Sequence, residues 1–334
     1  MAKLETVHAA TPPAAAAALA LKEYRRCSPA KEILAALGST DATTMAAFSQ
    51  LVRGDDVLAR CPPRADYQRR VFGALVAAAE RAGEAELDDG VFELLAAAAT
   101  ASGGDDGRGH VTVDVAPGRC VSLRTFDRSN EVGLRLWPAA LLFAEWALAD
   151  PRRFAGRSVL ELGAGVGLCG LALAATGAAR VVLTDGDGRV VTNLRHNADL
   201  NGFAGGGRVA VAEFAWDEAA AFYASSGAFD AVVAADCVYD AAAAPALAGA
   251  LAGALDANPA AAVYLANAVR NDATWAATLA ALAARGLDAT ARVDGDVVRA
   301  VTAAGGPTAV SPAAWAGLAA DASRGDLRMV RVTR

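Results

Sequence analysis

The apolar run Phe229 to Ala235 ends in Asp236-Cys237-Val238-Tyr239. Read as a β-strand, it releases a carboxylate and a phenol at the mouth of a sheet. Apolar walls with a paired acid and phenol suit an amine: the carboxylate orients the ammonium, and the ring faces it as a cation–π partner. A plainer reading makes Asp236 the N-cap of a helix starting near Ala241.

A second constellation lies upstream, in Val159-Leu160-Glu161-Leu162-Gly163-Ala164-Gly165-Val166-Gly167-Leu168-Cys169-Gly170. An apolar run, an acidic residue, glycines at alternate positions and a helix-forming run read as strand, tight turn and helix. Glycine lets the backbone bend sharply and approach a ligand closely. The following helix aims unsatisfied N–H groups at the same space.

Gly165-x-Gly167-x-x-Gly170 also satisfies the dinucleotide-binding spacing, so context must decide. Glu161 would repel a pyrophosphate but suits a cofactor carrying an ammonium and a sulfonium, which favours S-adenosyl-L-methionine. It could instead anchor the turn by accepting backbone N–H groups. Arg180 to Thr184 is a further apolar run, ending in Asp185, a carboxylate placed to accept from both ribose hydroxyls. Dehydrogenases share that feature, so it supports the fold more than the cofactor. Trp216 and Trp137 either flank the ligand or pack in a core.

The elements that must position these residues alternate from Ser158 onward. Strand 158–162 precedes helix 167–176, strand 180–184, helix 187–201, strand 208–213, strand 229–235 and helix 242–255. Strand 261–267, helix 272–285 and strands near 288–293 and 328–333 complete the series. This alternation predicts a doubly wound, mainly parallel α/β sheet with ligands at the carboxyl ends of its strands. Before it, His110 to Val115 and Cys120 to Leu123 around Pro117-Gly118 read as a hairpin. Pro138 opens a helix running through Trp146.

Residues 1–107 read as an N-terminal helical region, with disorder expected over residues 1 to about 25, and 108–334 as the catalytic domain. Ser28-Pro29 before Ile33, Leu34 and Leu37, with Gly38 closing, predicts a capped helix. Tyr67, Val71 and Leu75 recur at helical spacing opposite Arg69, Arg70 and Glu80. Another helix is expected from Asp89 through Ala101. These helices either pack on the main domain or recognise a substrate. The break Ser102-Gly103-Gly104-Asp105-Asp106-Gly107 marks the boundary.

With 334 residues, 54% of them hydrophobic, the chain can build large cores. Much of the apolar content is alanine, which favours helices over membrane insertion, and no uncharged run of strongly apolar residues spans a bilayer. The N-terminus, with Glu5, Pro12 and Pro13, does not read as a secretory signal. Five cysteines, odd in number and never in C-x-x-C, fit reduced thiols in the cytoplasm. Three scattered histidines suggest no metal site. A net charge of −6 argues against broad contact with a phosphate backbone.

Val159 to Gly170, Thr184-Asp185, Asn193 to Gly202, Phe214-Ala215-Trp216 and Ala234 to Tyr239 resemble the seven-β-strand protein-lysine methyltransferases of methyltransferase family 16. Leu136-Trp137-Pro138-Ala139-Ala140-Leu141 with Glu145-Trp146-Ala147, and Val263-Tyr264-Leu265 through Val269-Arg270-Asn271, most resemble the family-86 proteins, which methylate a lysine of eukaryotic elongation factor 2. The resemblance covers about 120 to 300 well, and 66 to 101 more faintly.

It implies a seven-stranded class I, Rossmann-like methyltransferase sheet, S-adenosyl-L-methionine as cofactor, and elongation factor 2 as protein substrate. Trp137, Gly163, Ala164, Gly165, Asp185, Trp216 and Ala235 would line the cofactor site, with Glu161 beside them. Asp236 and Tyr239 hold the D-x-x-Y positions that face the lysine. A cytoplasmic monomer is expected, with no membrane or nucleic-acid partner. Gly205-Gly206-Gly207 and the segment Asp294 to Asp326 depart from the family pattern. The alternatives are methylation of another protein, an RNA or a small molecule, or a non-catalytic cofactor-binding partner of a translation factor. The Asn-Pro-Pro-Tyr motif usual in the RNA class is absent.

Overall fold

The structure, a computed structural model, describes residues 11–84, 87–101, 107–127, 131–203, 205, 207–293 and 326–334. The expected boundary at Ser102 to Gly107 lies outside the described residues except for Gly107, as does most of the Asp294 to Asp326 segment. The chain divides into two compact units, one of residues 1–105 with 109–111, the other of 106–108 with 112–334.

The first unit is helical. Pro13–Arg25 forms α1, where disorder was expected. Its small alanines allow close packing, and Ala16, Ala17, Ala20 and Tyr24 are buried, while Pro13 suits the first turn. α2 (Ala30–Leu37) stops at Gly38 in the left-handed conformation, as its sequence predicts. The Ser28 hydroxyl does not cap it and donates to Glu23 instead.

Asp41 caps α3 (Ala42–Arg53), and Asp55 caps α4 (Asp56–Arg60) while pairing with Arg25. α5 (Ala65–Ala82) buries Tyr67, Val71 and Leu75, and α6 (Asp89–Thr100) follows. Tyr24, Phe48, Phe72, Ile33 and Met45 fill the centre of this unit.

β1 (Arg108–Ala116) and β2 (Arg119–Phe126) make a two-stranded sheet. Then come α7 (Pro138–Ala149), β3 (Ser158–Leu162), α8 (Leu168–Ala175), β4 (Arg180–Asp185), α9 (Gly188–Leu200) and β5 (Val209–Glu213). α10 (Ala219–Ser226), β6 (Ala231–Ala235), α11 (Ala244–Ala257), β7 (Ala262–Val269), α12 (Asp272–Ala284), β8 (Asp288–Arg292) and β9 (Asp326–Thr333) complete the order. α10 is absent from the sequence expectations because Ala-Ala-Ala-Phe-Tyr-Ala-Ser-Ser has no charged face to set a helical period.

The seven strands run β5-β4-β3-β6-β7-β9-β8, all parallel except β9, which is antiparallel to both neighbours. Leu160, Leu162 and Val182 face a core shared with α10, α11 and α12. Val181 and Leu183 face α8, where Gly170 permits contact: a Cβ there would lie 2.2 Å from Leu183 Cδ2. Helices therefore cover both faces of the sheet, and chain order reverses between β3 and β6, where such sheets hold ligands.

Asparagines one helical turn apart fasten β2 to α9. Asn201 and Asn197 accept from Ser122 N at 2.8 Å and Arg124 N at 2.9 Å, and Asn193 donates to Arg124 O at 3.1 Å. Asn197 also donates to Val166 O in the glycine turn at 2.9 Å. Side chains thus satisfy an edge that strand pairing leaves open. Asn197→Ala should lower the urea-unfolding free energy by about 3 kcal/mol, since several buried groups lose partners. A change within 0.5 kcal/mol would show that water replaces the amide.

Candidate active site

A cavity of about 630 Å³ opens at the carboxyl ends of β3, β4 and β6. Trp137, Glu161, Gly163, Ala164, Gly165, Asp185, Trp216, Ala235, Asp236 and Tyr239 all line it. The sequence-selected positions, drawn from five separate stretches, therefore converge on one space.

The glycine turn is built by hydrogen bonds. Ala164 N donates to Thr184 O at 2.7 Å, and Asp185 accepts from Gly165 N and Asp187 N, each at 3.1 Å. Gly163 has φ +59, and a Cβ there would meet Cys237 Sγ at 2.8 Å and Trp216 Cζ2 at 3.2 Å. A side chain at this position would be strained and would push into the cavity wall. Trp216 packs against the core cluster and also lines the cavity, with its ring beside the glycine turn.

Glu161 is buried, and its Oε2 accepts from Gly170 N at 2.8 Å, tying β3 to the first turn of α8. Burial pushes its carboxyl up to about 7, opposed by the Gly170 amide and reinforced by the charge of Asp185. The anchoring role is thus realised, on a residue that also lines the cavity. Burial likewise raises Asp185, against the amides of Asp187 and Gly165.

Asp236 has φ +56, a left-handed conformation that costs on the order of 1 kcal/mol outside glycine. Its side chain is 2% exposed. Oδ2 accepts from Ala139 N at 3.1 Å, and Oδ1 accepts from Ala268 N at 3.0 Å and Arg270 Nη1 at 3.3 Å. It does not cap the segment near Ala241; Asp240 does, accepting from Ala242 N at 2.9 Å. Tyr239 is 63% exposed at the cavity rim, its phenol raised by burial of its inner part and by Asp185.

Trp137 precedes α7 and donates from Nε1 to Val132 O at 2.8 Å, which fixes the ring over the cavity. The guanidinium carbons of Arg270 and Arg135 lie 4.9 and 5.8 Å from its centroid.

Sequence reasoning missed Asn267 and gave Arg270 no role. Asn267, buried in β7, accepts from Val238 N at 3.0 Å and donates to Val238 O at 3.1 Å, clamping the Asp236–Tyr239 loop. Both residues sit at the carboxyl end of a parallel strand, the signal that could have found them. Glu131, paired with Arg189, also lines the cavity unforeseen.

This sheet order, with a glycine turn after β3 and an acidic residue closing β4, defines the class I methyltransferase-like α/β fold. Residues 122–279 match the family described as lysine methyltransferase. The human protein-lysine N-methyltransferase EEF2KMT is 34% identical over 234 residues, which is 65% of this chain and 70% of that protein. The mouse protein of the same name is 42% identical over 117 residues, spanning 32% of this chain and 35% of the mouse protein. A calmodulin-lysine N-methyltransferase of Arabidopsis thaliana is 35% identical over 128 residues, 36% of this chain and 42% of its own length. The chain belongs to the lysine methyltransferase family.

Glu161 gives a prediction with a defined sign. Its carboxyl binds a proton more tightly when folded than at its ordinary value of 4.5, so stability falls as pH rises from there to about 7. Glu161→Gln stays neutral, so its stability relative to wild type should rise through that window, by up to about 3 kcal/mol. Unfolding free energies across pH would check this, and a pH-independent difference would contradict it.

Proposed function

We propose that this chain transfers methyl from S-adenosyl-L-methionine to a lysine side chain of eukaryotic elongation factor 2. The observation that carries the reading is one cavity holding both the glycine turn with Asp185 and the Asp236–Tyr239 pair. The names of the human and mouse relatives support the target.

The residues present fit the cofactor, because the glycine turn leaves a cradle that a Cβ at Gly163 would fill. S-adenosyl-L-methionine, when bound, supplies a methyl group made electrophilic by its sulfonium. Gly163, Ala164 and Gly165 would hold it by backbone contact, Asp185 by its ribose hydroxyls, and Trp137, Trp216 and Ala235 by apolar contact. Glu161 would support the cradle from behind, through its bond from Gly170 N.

In-line methyl transfer needs little covalent help, so the protein contributes alignment and exclusion of water. Asp236 orients the lysine and Tyr239 faces it, while the proton leaves to water before transfer. Only the neutral amine attacks, and deprotonating a lysine of pKa about 10.4 at neutral pH costs roughly 4 kcal/mol. An apolar pocket lowers that cost.

Residues 108–334 are proposed as the catalytic domain and 1–107 as an N-terminal helical region. Among the described residues no helix is long and apolar enough to cross a membrane. Location in the cytoplasm, where translation factors work, follows from the proposed target, and the chain is proposed to act as a monomer.

Labelled methyl transfer into lysate from cells lacking this gene tests the reading. One ribonuclease-resistant band at the mass of elongation factor 2 is expected. Asp236→Asn should cut turnover about a hundredfold at saturating substrate, as misalignment does. A labelled protein of another size would overturn the target, and label lost with ribonuclease would overturn the substrate class. Unchanged turnover in Asp236→Asn would remove the role given to that residue.

A further inference from the structure

Asp236 alone works against the chemistry proposed for it. A carboxylate beside an amine stabilises the ammonium, which cannot attack. The structure does not leave that carboxylate alone.

Arg270, the residue just past β7, reaches back with Nη1 to 3.3 Å from Asp236 Oδ1. Its guanidinium carbon lies 4.9 Å from the centroid of Trp137, a ring itself fixed through Val132 O. The side chain is 34% exposed and lines the cavity, so it is held in place yet faces the space where an acceptor would arrive. Ala139 N and Ala268 N occupy further positions on the carboxylate. Its two oxygens offer about four acceptor sites, so room for one further donor remains.

Among the described residues, Arg270 is the cation paired with Asp236. From β3, Glu161 is pushed up to about 7 by burial, which weakens its negative charge near neutral pH, and from β4 burial also raises Asp185, whose carboxylate is engaged by Gly165 N and Asp187 N. Burial holds the Cys237 thiol and the Tyr239 phenol in their neutral forms. Asp240 accepts from Ala242 N, Asp187 from Arg189 N, and Glu131 is paired with Arg189. The guanidinium carbon of Arg135, which also lines the cavity, lies 5.8 Å from the Trp137 ring centroid.

We propose that Arg270 is a positioning residue that acts through Asp236: it offsets the carboxylate charge, so Asp236 orients the lysine without locking it as an ammonium. The inference rests on the lysine-transfer reading given above. No bond to carbon changes at Arg270; the lysine proton still goes to water, and Arg270 stays charged throughout.

The test is kcat against pH at saturating elongation factor 2, for wild type, Arg270→Met, Arg270→Gln and Arg270→Lys. S-adenosylhomocysteine affinity and thermal unfolding are measured on each as checks of the fold. In the two neutral variants the acid limb of kcat should move up by about one pH unit. That shift makes them about tenfold slower at pH 7, with the wild-type plateau regained at high pH. Arg270→Lys should keep the wild-type profile.

A loss by the same factor at every pH, or a limb displaced equally in Arg270→Lys, would overturn the inference. Transfer by wild type with unshifted neutral variants would overturn this inference alone. Wild type that methylates no protein lysine would overturn the parent reading with it.

Discussion

The buried carboxylate of Asp236 is the constraint on which the acceptor side of the cavity depends. It joins the tip of β6 to the first turn of α7 through Ala139 N, and to the end of β7 through Ala268 N and Arg270. Trp137 immediately precedes α7, so the same carboxylate that would meet the lysine also sets the position of the aromatic wall. A charged group buried this deeply is costly unless donors surround it, and here backbone amides and a guanidinium supply them. The left-handed backbone at Asp236 is the local strain that lets one residue face three elements.

The opposite side of the cavity depends on a comparable device at lower charge. Glu161 reaches from β3 to Gly170 N in α8, and Asp185 from β4 to Gly165 N, so two carboxylates brace one glycine turn from behind. Asn197 adds a third brace, holding Val166 O on one side and β2 on the other. The loop thus gains rigidity from its surroundings while its own glycines keep the ligand side open.

The scaffold was legible because parallel strands buried on both faces read as near-continuous apolar runs, as Ala231–Ala235 does and Val159–Leu162 does apart from Glu161. The cavity residues were legible because they follow those runs directly, at the ends where such sheets bind ligands. α1 was not, because a run of alanines after Pro12-Pro13 carries no period, and only burial of Ala16, Ala17 and Ala20 reveals its packing face. The partners of Asp236 were not legible either. Ala139 lies 97 positions away and Ala268 32, and both contribute a backbone amide that no residue type advertises. Arg270 and Asn267 were hidden by their polarity, since a polar residue closing a strand resembles an ordinary solvent-facing boundary.

Binding of S-adenosylhomocysteine by titration calorimetry, to wild type and to Gly163→Val, tests the central claim most directly. The claim is that the turn after β3 is the cofactor cradle of a lysine methyltransferase. One molecule should bind per chain in wild type. Gly163→Val, whose branched side chain would press on Cys237 and the Trp216 ring from a position with φ +59, should bind at least about tenfold more weakly. Its thermal unfolding transition should remain cooperative. No binding by wild type, or equal affinity in the valine variant, would contradict the assignment of this cavity.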